Sequence, residues 1–192
     1  MAIKELVRTG GRSARIQSAV HEAVNRLGKT VARDALTVPQ IAAEAGVTPS
    51  TIYRRWGDLP ALLADVAVER LRPIGEPDDT GAMLSDLRAF IEQYAEEMSS
   101  PVGQALMRDV LSPSGESFPG QCCTFTRAHL ATIVARAEAR GETPFDIEEV
   151  IDHVVAPIIY HILFGDRTMT PAYCRQLLAR LRSLPQAGAF AG

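Results

Sequence analysis

The sequence predicts an all-α protein in two parts: a small N-terminal helix-turn-helix domain of three to four helices and a larger C-terminal helical bundle, about nine helices in total. Three observations predict it. Apolar residues recur every three or four positions through most of the 192 residues, and no convincing run alternates as a strand would. Ser, Thr or Asp stands just ahead of most apolar stripes, often with Pro behind it, which is how helices begin. Stretches rich in Pro and Gly, residues 73–81 and 112–120, separate the stripes.

The elements follow in order. Residues 13–27 put Ile16, Val20, Val24 and Leu27 on one face, and Gly28 ends that helix. Thr37 opens a second helix, with Pro39 in its first turn and Gln40 completing a capping box. Gly46 supplies a tight turn, Thr48 caps a third helix, and Pro49 is its first residue. Asp58 caps a fourth, carrying Leu62, Leu63, Val66, Val68 and Leu71 until Pro73 stops it. Residues 73–81 read as a linker. Residues 82–98 form a long amphipathic helix, and Ser100 and Pro101 start a shorter one reaching Leu111. Residues 112–120 read as a loop and residues 121–140 as a helix closed by Gly141. Asp146 caps a helix running to Gly165, Thr170 opens the last one, and the tail PQAGAFAG is disordered. Two domains result, residues 12–72 and 80–184.

Hydrophobic residues make up 46% and charged residues 22%, the balance of a globular protein in water. No apolar run approaches the roughly 20 residues of a membrane span. MAIKELVRTGGRSAR lacks the apolar centre of a signal peptide. The expected location is the cytoplasm, with no membrane partner. Three cysteines, two of them adjacent, fit neither a disulfide framework nor a zinc site.

The net charge of −3 hides an asymmetry. Residues 1–55 hold nine Lys/Arg against four acids, +5, so the remainder carries −8. Charge alone does not separate a basic tail from an anion-binding end.

The stretch VTPSTIYRRW, residues 47–56, narrows that choice. Two short helices around Gly46 have helix-turn-helix dimensions. Thr48, Pro49, Ser50 and Thr51 are small enough for backbone to approach a major groove, and their hydroxyls can bond base edges or phosphates. Tyr53 can donate to a phosphate, Arg54 and Arg55 supply charge, and Arg54 can reach a guanine edge. Thr37 sits at a helix N-terminus, where phosphates bind.

LTVPQIAAEAGVTPSTIYRRWGDLPALLADV, residues 36–66, closely resembles the DNA-binding domain of the TetR family of transcriptional regulators. The shared pattern is the IA-x-x-AGV turn, then T-x-S-T-x-YRRW, then an apolar fourth helix. The resemblance implies an all-helical homodimer that usually represses transcription and leaves its palindromic double-stranded DNA operator when a small ligand binds the C-terminal domain. It puts Thr37, Thr48, Ser50, Thr51, Tyr53 and Arg55 on phosphates or bases, Pro49 and Arg54 at positions that set operator choice, and Trp56 in the core. Members commonly carry a lysine phosphate contact near the start of the fourth helix. This chain has Leu59 and Pro60 there, so that contact is lost.

Residues 140–165 resemble the eighth helix of many members, in which the last two helices form the dimer interface. Composition agrees, because residues 146–164 are apolar on nearly every side. Ile151, Val155, Ile158, Ile162, Leu177, Leu178 and Leu181 are the expected interface, and Pro157 is expected to kink the helix. Met83, Leu87, Phe90, Tyr94, Met98, Leu106, Met107, Phe125, His129 and Ile133 form an apolar stripe that either is plain core or lines a pocket for an apolar organic ligand. No GxSxG, HExxH or phosphate-loop motif points to an enzyme, a metal or a cofactor. His153 and His161 read as core or interface histidines. Cys122 and Cys123 could sense redox state only if one were exposed with a lowered pKa. A DNA-binding dimer without a ligand is the alternative reading.

Overall fold

The computed structural model describes residues 11–111, 118–165 and 167–181, and the disorder expected of the C-terminal tail and most of the 112–120 loop fall outside them. Four helices make the first unit: α1 (Arg12–Leu27), α2 (Val38–Ala45), α3 (Pro49–Trp56) and α4 (Leu59–Leu71), with a single 3₁₀ turn at Arg33–Ala35. The remainder comprises α5 (Met83–Ser99), α6 (Pro101–Val110), α7 (Phe118–Ala139), α8 (Ile147–Val150), a π segment (Ile151–Val155), α9 (Ala156–Phe164) and α10 (Pro171–Leu178). Helical dihedrals run unbroken from α8 through the π segment into α9, so nine continuous helices exist among the described residues.

The helix starts obey side-chain chemistry. Asp58 accepts the Ala61 N–H, Ser100 that of Gly103 and Thr170 that of Tyr173. Gly46 closes α2 at φ 67, a left-handed conformation in which a β-carbon would be strained.

Two differences from the sequence reading concern helix limits. Residues 118–120 belong to α7 and not to the preceding loop. The helix expected at 146–164 contains a π turn, closed by the Ala156 N–H on the Ile151 carbonyl. Pro157 explains it: lacking an N–H, it cannot bond the His153 carbonyl, and the wider turn makes room for its ring.

Apolar burial divides the chain. One cluster packs Val20, Val24, Val38, Ile41, Ile52, Leu62 and Val66 of α1–α4, with Trp56 and Leu59 against it. A larger one packs α5, α7, α8, the π segment, α9 and α10 around Leu87, Ile91, Leu130, Ile133, Val154 and Ile158. Between them Ala67 and Val68 of α4 meet Leu106 and Val110 of α6. An ion pair joins Arg33, just ahead of α2, to Asp109 of α6, whose side chain is largely buried.

The linker is strapped down. Arg136 donates to the Pro77 carbonyl at 2.6 Å and to Glu76 at 2.7 Å, and Arg140 reaches Asp79 at 3.0 Å. Arg140 also donates to Asp86 at 2.9 Å, a fully buried carboxylate that takes the Thr80 N–H as well. Burial alone would raise the Asp86 pKa, but the hydrogen bonds from Thr80 and Arg140 outweigh it and hold the carboxyl below its usual range.

The residues expected at a dimer interface require a correction. Val155, Ile158, Ile162, Leu177, Leu178 and Leu181 are all buried in the chain's own core, and Ile151 packs against it. The period that marked them as apolar does not say which apolar face points outward. The outward face of α9 carries Tyr160, 56% exposed, and Phe164, 70% exposed. Their rings lie 4.8 Å apart.

Candidate nucleic-acid interface and cavity

Helix α3 is amphipathic over two turns. Ile52 is fully buried against α1, α2 and α4, which holds the opposite face outward. Ser50, Tyr53 and Arg54, spaced i, i+3 and i+4, are exposed there, Tyr53 by 50%. Arg54 makes no hydrogen bond or ion pair with any described residue, so its charge is unmatched.

Thr48 sits at the N-cap position of α3 but does not cap it. Its hydroxyl lies 2.9 Å from the Ser50 hydroxyl and 3.0 Å from that of Thr51. Pro49 has no N–H and the Thr51 N–H is used by the Thr48 carbonyl, so the Ser50 N–H stays open beside three hydroxyls. At α2 the box is closed: Gln40 accepts from the Thr37 N–H at 2.9 Å and from its hydroxyl at 2.8 Å. The Gln40 and Ile41 N–H groups bond Thr37, and Pro39 has none. Only the Val38 N–H remains for an outside acceptor. Thr37 therefore offers less at this terminus than its sequence position suggested.

Arg55 faces elsewhere. It donates to the Ser13 carbonyl at 3.0 Å, to the Ser13 hydroxyl at 2.7 Å and to Gln17 at 2.6 Å, clasping α3 to α1. Its guanidinium lies 5.1 Å from the Trp56 ring centre. Gln17 continues the clasp to Asp65 of α4 at 3.2 Å, where His21 and the Trp56 indole N–H also converge, each at 2.8 Å. Burial would raise the Asp65 pKa, but its hydrogen bonds from His21, Trp56 and Gln17 prevail and lower it. Beside the clasp, Arg12, Ser13, Ile16, Thr51, Arg54 and Arg55 bound an open cleft of about 570 Å³. Arg12, Ser13 and the Asp65 hub were not singled out from sequence, because only tertiary packing brings them together with α3. Leu59, where a lysine was expected, packs against the first core.

A second cavity of about 510 Å³ lies where the end of α4 and the linker meet α5, α6 and α7. Of the apolar stripe, Phe90, Tyr94, Met98, Leu106, Phe125 and His129 line it, while Met83, Leu87, Met107 and Ile133 are core. Sequence reasoning missed the linker wall (Arg72 to Pro77) and the polar wall residues Gln93, Glu97, Cys122 and Thr126. The Phe90 ring meets His129 edge-on at 5.4 Å, and His129 Nε2 donates to the Gly75 carbonyl at 3.1 Å. Burial pushes the Tyr94 hydroxyl up to about 12 despite its hydrogen bond with Thr126. Burial, with Cys123 next to it, also raises the Cys122 thiol, the opposite of what a redox sensor needs. Elsewhere His153 is exposed, with Nδ1 donating to the Glu149 carbonyl at 3.1 Å, and His161 stacks edge-on to Tyr173 at 5.7 Å. Among the described residues no helix is long and apolar enough to cross a membrane.

Comparison with known proteins bears on both sites. A family model described as the tetracyclin repressor-like C-terminal domain matches residues 77–181, and one for bacterial regulatory proteins, tetR family, matches residues 31–66. The HTH-type transcriptional regulator AqdR of Rhodococcus erythropolis is 31% identical over 135 residues, 68% of this chain and 65% of that protein. YdeS of Bacillus subtilis, an HTH-type transcriptional regulator, is 26% identical over 76% of this chain and 77% of its own length. A TetR-family regulator structure from Mesorhizobium loti superposes with a TM-score of 0.55 at 15% identity, covering 87% of this chain and 93% of its own. The flavonoid-responsive regulator FrrA superposes at 0.52 with 22% identity, covering 85% of this chain and 91% of its own. The two structural likenesses bear on the fold alone.

Proposed function

The chain belongs to the TetR family of transcriptional regulators, and from that premise we propose that it is a homodimeric repressor that leaves a palindromic operator when a small organic molecule enters the 510 Å³ cavity. Residues 12–72 act as the DNA-reading domain and residues 80–184 as the ligand and dimer domain. One observation carries the DNA reading: α3 presents Thr48, Ser50, Tyr53 and Arg54 outward while Ile52 anchors it. Hydroxyls, an open N–H and an unmatched guanidinium are what phosphates and base edges bond. Arg55, tied to Ser13 and Gln17, orients α3 and contacts a phosphate only at the edge of that clasp. Arg12 across the cleft supplies the cation that Leu59 does not.

The dimer surface is the outward face of α9, with Tyr160 and Phe164 at its centre. Two reading helices about 34–36 Å apart then enter successive major grooves. Ligand and operator favour different dimers, so each weakens the other by the same factor.

Selection from a random duplex library tests the reading. An enriched palindrome, absent with Tyr53→Ala, is expected. Failure to enrich any sequence at low salt would remove the operator-binding role. For the interface, Phe164→Asp should shift the sedimentation coefficient to that of a monomer, and an unchanged dimer would move the interface off α9.

A further inference from the structure

The cavity beside the linker has an uncharged interior and a charged rim. Its acids and one of its arginines are already engaged: Arg72 with Glu69 at 3.0 Å, Glu76 with Arg136 at 2.7 Å, and Glu97 with the Gln93 amide at 2.8 Å. Arg70 is exposed at the rim. Inside stand the rings of Phe90, Tyr94 and Phe125 and the neutral polar groups of Thr126 and Cys122. The cations nearest these rings are Arg72, held by Glu69 with its guanidinium 5.4 Å from the Phe125 ring centre, and Arg70 at the solvent-facing rim, so an anion inside gains little from either, whereas a flat aromatic molecule meets ring edges and faces.

One inner group does two jobs. Among the described residues, the segment 73–75 receives a single hydrogen bond, from His129 to the Gly75 carbonyl. Arg136 and Arg140 hold the linker only from Glu76 onward. Ile74 next door is wholly exposed although it borders an apolar cavity, so it gains burial only if the segment moves over an occupant. The segment continues directly from α4, whose Asp65 holds α1 and α3.

We propose that the cavity takes an uncharged aromatic molecule bearing a carbonyl or phenol oxygen, and that His129 is its specificity-determining residue, exchanging the Gly75 carbonyl for that oxygen and so unlatching the linker behind α4. The inference rests on reading this cavity as the effector site. A bond for a bond leaves His129 satisfied, so the net gain comes from ring burial while residues 73–75 become free to close over the ligand.

The probe is prodan, a neutral naphthalene ketone, set against 8-anilinonaphthalene-1-sulfonate, which carries a charge on the same ring system. Prodan should bind once per chain and slow maleimide alkylation of Cys122 in the Cys123→Ser protein, since Cys122 borders the cavity and Cys174 is buried. The sulfonate should bind at least about tenfold more weakly. His129→Phe should weaken prodan about three- to tenfold, with His129→Gln, which keeps an N–H donor, restoring part of it. The carbonyl carbon resonance of Gly75 should move upfield on prodan binding as the His129 bond is lost, and should already lie upfield in His129→Phe. Equal binding of the sulfonate overturns the uncharged class but keeps the effector site. An unchanged Gly75 carbonyl resonance in prodan-bound protein overturns the latch. If neither probe protects Cys122, the effector-site reading falls with it.

Discussion

In the second half of the chain, Arg136 of α7 and Arg140 just after it are committed to the linker and to the buried Asp86, while in the first half Arg12 and Arg54 are exposed and have no hydrogen-bond or ion-pair partner among the described residues. The difference separates two uses of one side chain. A guanidinium bonded to carboxylates and carbonyls holds the chain's own segments together. An unmatched one beside open hydroxyls and an open N–H is a surface awaiting an anion. The net charge of the first 55 residues, +5, points the same way, but only the pairing pattern says which arginines contribute.

The strongest way to break the comparison is Arg140→Ala. It leaves Asp86, fully buried, without its counter-charge and releases Asp79. Removing one partner of a buried pair is among the costlier single changes, and a fall in melting temperature of roughly 10 °C is expected. Arg54→Ala should leave the melting temperature within about 2 °C, because no described residue bonds to it. Thermal unfolding followed by circular dichroism compares them. Similar losses in both would mean that Arg54 has a structural partner.

Next in size is the contact between the halves. Gly103 lets α6 pass close to the end of α5, and a β-carbon there would stand 2.9 Å from the Met98 Cα and from its carbonyl oxygen, with the Glu97 carbonyl closer still. Those neighbours are backbone and cannot swing aside. Gly103→Ala should cost about 1–3 kcal/mol in urea unfolding and displace α6, with Leu106 and Val110, from α4. An unchanged denaturation midpoint would show that α6 has slack there.

The first half was largely legible from sequence, and the reason is local chemistry. Thr37 with Gln40, Gly46 at positive φ, and Asp58 with Ala61 are bonded within four residues of themselves, so a sequence window contains the whole cause. The apolar stripes of α5, α7 and α9 were just as visible, but their outward faces were not. Ile158 and Leu181 have the same periodicity as a dimer seam and end in the chain's own core. The cavity was half visible: rings at helical spacing could be listed, yet the linker wall arrives through contacts of Arg136 and His129 about sixty and fifty-four residues away. The clasp of Arg55 on Ser13 was hidden for the same reason, at a separation of 42 residues.

Asp65 offers a finer test because it joins three helices. With the folded pKa below the unfolded one, its contribution is present above about pH 4, the unfolded carboxylate value, and is lost as pH falls through the folded value. Asp65→Asn should destabilise by about 1–3 kcal/mol near neutrality, since it weakens bonds from His21, Trp56 and Gln17. The gap between wild type and variant should then narrow below about pH 4, once Asp65 itself is protonated. Urea midpoints measured from pH 3 to 7 give this difference directly. A gap that stays constant across that range would mean the Asp65 charge contributes nothing and only hydrogen-bond geometry matters.

The smallest expected effect separates Arg54 from Arg55 on DNA. If Arg54 meets a phosphate, Arg54→Ala lowers the slope of log affinity against log salt by about one and weakens all sequences alike. If it reads a guanine edge, the slope hardly moves and the preferred base at one position is lost, a discrimination of about 1–3 kcal/mol. Arg55→Ala has a different signature, because its bonds go to Ser13 and Gln17. Releasing them loosens α3 against α1, so affinity for the best site should fall while the salt slope changes by less than one. Ser13→Ala, which removes one of those bonds and no charge, should reproduce part of that fall. If Ser13→Ala is silent and Arg55→Ala takes a full unit off the slope, Arg55 leaves α1 for a phosphate when DNA binds, and the clasp belongs only to the free protein.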